Sequence, residues 1–437
     1  MLSKFLSHRI QLVYSFLHQI TMAVYGFGLL FLILRILPQN EVGRWMLFIS
    51  TLSIADMLLH GFLQTILVKE YAKNSKNSKM INIIRSHATV LAILVFIGIF
   101  LLTLISKFGF YLNHKQYTLL NDFFKWYPLL GILMVIYNLS WWLNTGINNF
   151  KRILIQRLIF CLISISFILF EYFNNHPIGF DTLVISQVLG YTSSSIYSIF
   201  ANHFTFTFRY VHKDTLVLYA HYGKYTLGTM LGSSLLRNSD TFMIAAFIDT
   251  KSVAIYVLAQ KIIEIFEVIL RSMASTLLPT LYQLKENIIV FYKSWFITST
   301  KLTLLFLPLS ILVFIFSDTV IFWISGSDSY NESSFILRIF MVYVLLLPLD
   351  RLIGIALEIL SKPHWNLIKT VVLTIINIAG NYVTLYYFHS LGAAAAVSSL
   401  ALCFSIIAGF YFLKKSGLPP YSMLNLKFKD IKPKLVM

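Results

Sequence analysis

The chain has 437 residues, of which 57% are hydrophobic and only 12% charged, with a mean hydropathy of +0.75. Soluble domains carry roughly twice that share of charge, so a soluble globular protein is excluded and an all-α polytopic membrane protein is expected. The net charge of +17 would suggest nucleic acid in a soluble chain, but here the positions of the basic residues decide its meaning.

Taken in order, apolar runs long enough to cross a bilayer predict about twelve spans. The first six lie near Ile10–Leu37, Trp45–Val68, Ile81–Ser106, Phe123–Ile147, Ile153–Phe173 and Thr182–Phe204. The second six lie near Tyr219–Ile248, Val253–Tyr282, Trp295–Phe316, Phe335–Leu360, Leu367–Phe388 and Gly392–Leu413. Lys4 and Arg9 precede the first run without a small-residue cleavage site, which predicts an uncleaved first helix. The longest loops, around Lys107–Asp122 and Phe316–Glu332, are too short to fold as domains.

An even number of spans puts both termini on one side. That side collects Lys69, Lys73, Lys76, Lys79, Arg85, Lys151, Arg152, Lys285, Lys362, Lys369, Lys414 and the tail lysines, whereas the other has few, such as Arg44, Lys107 and Lys251. The bias predicts cytoplasmic termini and explains the charge as topology and contact with anionic membrane lipids, leaving no case for nucleic acid. The cysteines, Cys161 and Cys403, both sit in apolar runs, so neither a disulfide framework nor a metal site is expected.

The chain also resembles itself. At an offset of about 211 residues Val42 falls on Val253, Trp45 on Tyr256, Asp56 on Glu267 and His60 on Arg271, while Arg157 falls near Lys369. The common offset predicts two six-helix halves in parallel, 1–213 and 214–416, followed by a basic tail, 417–437.

Charge inside a membrane helix is costly and marks functional sites by default. Lys261, Glu264, Glu267 and Arg271 lie within roughly 120° on the eighth span, one stripe that should face protein or a water-filled cavity. Arg237 and Asp240, like Glu267 and Arg271, are also spaced for mutual neutralisation on one helix. Asp56, His60 and Arg351 are further intramembrane candidates. His60 and His18 could couple protons or simply bond across the bundle. Trp141, Trp142 and Asn144 could face a sugar or belong to an interfacial belt, and Gly228 and Gly232 suit close helix approach. The sequence holds no HExxH, GxSxG or Walker loop, so a transporter without a cofactor is expected rather than an enzyme.

The stretch SDTFMIAAFIDTKSVAIYVLAQKI, with Asp240, a short turn, Tyr256 and the later Pro279, resembles the hairpin between the seventh and eighth helices of Wzx-type polysaccharide flippases. Ala254 stands where that pattern usually has Gly. Lys362-Pro363, the LGAAAAVSS run at Leu391 and EVGRWM at Glu41 also resemble this family, part of the multidrug/oligosaccharidyl-lipid/polysaccharide exporter superfamily. The resemblance implies two six-helix lobes forming a V around a central cavity in a bacterial inner membrane. It implies an O-antigen unit on undecaprenyl pyrophosphate as ligand, moved by alternating access driven by an ion gradient or the substrate's own gradient. A polymerase and a chain-length regulator are the implied partners. Arg271, Lys261, Arg237 and Arg351 would then meet the pyrophosphate, with Glu264, Glu267, Asp56, His60 and Asp240 as charge partners. A multidrug exporter of the same superfamily is the alternative, and an O-antigen polymerase a remoter one.

Overall fold

The computed structural model describes residues 2–74, 78–109, 114–202 and 237–419, together with residues 230 and 234. Among the described residues every element is helical. The helices are α1 (Leu2–Ile36), α2 (Gln39–Asn74), α3 (Ser78–Gly109), α4 (His114–Gly146), α5 (Phe150–Phe173), α6 (Phe180–Asn202), α7 (237–247 where described), α8 (Thr250–Gln283), α9 (Ile288–Ile315), α10 (Ser317–Ser325), α11 (Asn331–Ile359), α12 (Pro363–Tyr387) and α13 (Leu391–Lys415).

Nine of the described helices are long and apolar enough to cross a membrane. Serines interrupt the apolar run of α6 and charged residues that of α8. Most of the seventh expected span, with Gly228 and Gly232, lies outside the described residues. So do the expected boundary at 213/214 and the tail beyond 419. Long side chains stay exposed along single faces, as with Leu304, Ile311 and Ile315 of α9 or Leu400, Phe404, Ile407 and Tyr411 of α13. Apolar stripes of this kind suit a lipid surround.

The chain divides into two compact units, Met1–Asn238 and Ser239–Met437. In the first, α5 packs on α1 and α6, α2 on α4, and α4 on α6 and α3. In the second, α12 packs on α13, α8 on α11, and α11 on α13 and α9. Apart from that of α5 with α1, the partnerships are the same, one half later. Gln39 opens α2 and Thr250 opens α8, Phe180 opens α6 and Leu391 opens α13, so both pairs keep the offset of about 211 residues. The turns repeat as well. Asn148 (φ 56°) and Ser361 (φ 61°), both left-handed, stand two residues before α5 and α12. The first core is built from helical spacing: Leu59, Leu63 and Leu67 of α2 meet Ile84, Ala88 and Leu91 of α3 and Leu139 and Trp142 of α4.

Two expected loops are instead largely helical. Gly109 ends α3 only a few residues before His114 opens α4, and the Phe316–Glu332 stretch holds α10 and a 3-10 turn at Asp328–Tyr330. Ser334 and Arg338 of α11 bind Asp318, and Arg338 Nε donates to Ser317 Oγ at 2.7 Å, so α11 clamps the start of α10. A left-handed Gly326 closes its end. The end of the first unit where α1 passes to α2 is braced in a similar way. Arg44 grips Asp122 of α4 with two hydrogen bonds of 2.6 and 2.7 Å and lies over the Phe180 ring, while Glu41 accepts from Phe180 N–H. This explains the EVGRWM turn: its two charges tie α2 to α4 and α6.

Candidate functional site

The DTKS turn contracts into a helix start. Asp249 caps α8 by accepting from Ser252 N–H at 2.7 Å. The next two turns, Val253 to Ala259, are buried in the second unit, with Ala254 1% exposed, so a methyl group fits where a glycine would have stood. Beyond them the expected stripe emerges on a face that its own unit leaves partly uncovered. Lys261 binds Glu264 at 2.8 Å, and Arg271 approaches Glu267 only to 3.8 Å, with 46% of its side chain exposed. Lys261 is therefore committed to a neighbour on its own helix, and Arg271 is held loosely.

Arg271 reaches a cavity of about 420 Å³ where α8, α11 and α12 meet, lined also by Asp350, Arg351, Glu358, Asn366 and Lys369. Gly354 on α11 lets α12 approach, since a Cβ there would lie 2.9 Å from Asn366 Oδ1. Lys369 is 3% exposed, and it donates to Asp350 Oδ1 at 2.7 Å and to Asp350 O at 3.0 Å. Ser405 of α13 also donates to Asp350 Oδ1, at 2.7 Å. Asn366 Nδ2 donates to Glu358 Oε1 at 3.0 Å. Both carboxylates in the lining thus have partners. Arg351 is exposed and has no ion-pair partner among the described residues. The arrangement leaves two guanidinium groups able to hold a multiply charged oxyanion by bidentate hydrogen bonds.

In the first unit, Asp56, His60 and Arg157 come together around Trp141 where α2, α4 and α5 meet. His60 lies edge-on to Trp141 and Trp142, with ring centroids 5.1 and 5.0 Å away, and Arg157 stacks over Trp141 at 4.6 Å. Asp56 accepts from Asn138 Nδ2 at 2.6 Å and stands 3.4 Å from His60 Nδ1. Arg157 donates to the His18 carbonyl at 3.3 Å. Trp142 is 1% exposed and belongs to the core, which removes it as a sugar-facing residue.

The remaining candidates separate. Asp240 is buried and accepts from Tyr256 Oη at 3.0 Å and Asn381 Nδ2 at 2.7 Å, so it ties α7 to α8 and α12. Arg237, exposed three residues earlier, is not among its partners. Arg237 and Lys261 do not line the cavity, whereas Arg271 and Arg351 do. Lys369 and Asn366 are not singled out as site residues by the sequence, and Glu358 stands there only as one of the intramembrane charges. The offset that set Lys369 on Arg157 was the available signal, because each is the buried cation of its half's fifth principal helix.

The profile of the family described as polysaccharide biosynthesis protein matches residues 11–285. No curated protein matches the chain. Among solved structures, the lipid II flippase MurJ in an inward closed conformation is similar with a TM-score of 0.73 at 14% identity, over 94% of this chain and 89% of that one. An inward-facing multidrug resistance MATE family transporter of the MOP superfamily gives a TM-score of 0.70 at 14% identity, over 91% and 93%. A MOP superfamily transporter from Pyrococcus furiosus gives 0.60 at 15% identity, over 95% of each chain. These likenesses bear out the expected superfamily fold.

Proposed function

The chain belongs to the polysaccharide biosynthesis protein family, and from that premise we propose that it flips an oligosaccharide linked to undecaprenyl pyrophosphate, an O-antigen repeat unit, across a bacterial inner membrane. The observation that carries this reading is the meeting of Arg271 and Arg351 at one cavity whose carboxylates are already bonded. A diphosphate brought there would gain charge-assisted hydrogen bonds in a site partly shielded from water. The solved lipid II flippase has the same fold, which supports a lipid-linked substrate. The two units would rock against each other to alternate access, driven by an ion gradient or by the substrate's own gradient.

Arg271→Ala and Arg351→Ala, expressed in a strain that lacks the native gene, test the reading. The expected result is normal membrane abundance with surface polysaccharide lost or reduced at least tenfold, since each variant removes a charge-assisted contact of about 1.5–3 kcal/mol. Full surface polysaccharide in both variants would sink the assignment. The organic-cation exporter reading is less well supported. Such a ligand needs uncommitted acid; Asp350 is held by Lys369 and Ser405 and Glu264 by Lys261, which leaves Glu267, 3.8 Å from Arg271, as the loosely held carboxylate that would have to serve.

A further inference from the structure

A second cavity, of about 340 Å³, opens at the end of the first unit where α2 passes to α3 and α4 to α5. Its lining joins Arg85 of α3 and Arg152 of α5 to Asn144, Leu143 and Ile147 of α4 and Tyr71 of α2, and among the described residues it includes no carboxylate. Among the buried polar atoms there without a hydrogen-bond partner in the described residues are a donor, Arg85 Nε, and an acceptor, Asn144 Oδ1. Asn144 is 1% exposed, and its Nδ2 already donates to Ser140 O at 2.8 Å. The amide cannot turn its nitrogen toward the cavity without breaking that bond, so its oxygen is available to a donor, from water or from a ligand group. Buried polar atoms left in this state are uncommon and call for a partner.

We propose that this pocket binds a phosphate ester that also carries a hydrogen-bond donor, the chemistry of a phosphoethanolamine or phosphoglycerol headgroup. The phosphate oxygens would accept from Arg85 and Arg152, and the ammonium or hydroxyl arm would donate to Asn144 Oδ1. Ile147, 41% exposed, and Leu143 offer the apolar contact that the glycerol and first methylenes of a lipid need. The site lies in the first unit and uses none of the residues assigned above to the flipped substrate. It can therefore stand or fall independently of that assignment.

Native mass spectrometry of the full chain, delipidated and titrated with lipids, tests it. Phosphatidylethanolamine or phosphatidylglycerol should bind about tenfold tighter than phosphatidylcholine, whose headgroup has no donor. Arg85→Gln and Arg152→Gln should each weaken binding about tenfold, and Arg85→Lys should restore part of it. Asn144→Leu should abolish the preference over phosphatidylcholine while leaving phosphate binding. Displacement by millimolar soluble phosphoethanolamine would assign the site to a soluble ester, and resistance to displacement would assign it to lipid; either supports the chemistry. Equal binding of phosphatidylcholine by the unaltered protein, or unchanged binding in both glutamine variants, overturns the proposal.

Discussion

Replacing Lys369 with methionine would separate the frame of the candidate cavity from its ligand-binding groups. The side chain is 3% exposed and passes Gly409, where a Cβ would come within 3.3 Å of Lys369 Cδ. Methionine matches its stem, so little packing is lost. What disappears is the ion pair with Asp350 at 2.7 Å and the second bond to the Asp350 carbonyl. Removing one partner of a buried pair costs about 3–5 kcal/mol. Asp350 keeps 22% side-chain exposure and its bond from Ser405, which places the expected loss at the low end, about 3 kcal/mol. Thermal and denaturant unfolding in detergent would measure it. Asp350→Leu alone should cost about as much, and the double variant should recover about 2 kcal/mol, because no lone charge remains buried. Two results would refute the reasoning. One is single variants within about 0.5 kcal/mol of the parent. The other is lost transport with unchanged stability, which would make Lys369 a ligand-binding group.

Asp240→Leu should leave the Tyr256 hydroxyl and the Asn381 amide without their acceptor, destabilising the protein by about 2–4 kcal/mol. Asp240→Asn should lose less than half of that, and unfolding midpoints would compare the two. Arg44→Ala breaks the two-bond grip on Asp122. With 39% of the arginine side chain exposed, the expected loss is about 1 kcal/mol, and faster protease cleavage near the first turn should accompany it. Arg271→Lys should keep more surface polysaccharide than Arg271→Ala but less than the unaltered protein, since an ammonium lacks the planar fork that grips two oxygens.

Helix existence was legible wherever a long apolar run stood alone, as in α3, α5, α9 and α13. The turn between α7 and α8 was legible in the polar letters DTKS, and the repeat in its constant offset. The partners of the charges were less so. Periodicity compares residues three or four apart, which finds Glu267 with Arg271 but also pairs Arg237 with Asp240, whose partners are Tyr256 and Asn381. It cannot see Asp350 meeting Lys369 across two helices, or Asp240 meeting Asn381, 141 residues later. Lys369, inside the expected Leu367–Phe388 span, counts in the sequence with the basic residues that set orientation; α12 starts at Pro363 and carries it into the core. The α10 helix was missed because nine residues are too few for an apolar run to register, and its hold on α11 comes from Arg338, a residue that belongs to the next helix.

The buried cations of the two halves are held differently: Arg157 lies over the Trp141 ring, and Lys369 is bound to the Asp350 carboxylate beside the cavity. A ligand in that cavity would be gripped at one charged point, by Arg271 and Arg351. Single-point anchoring fixes the polarity of a long molecule but leaves its far end to slide and turn. A protein built this way would recognise the invariant end of a family of molecules and tolerate variation in the rest. Swapping the glycan should then change its rate less than altering the charged link between glycan and lipid.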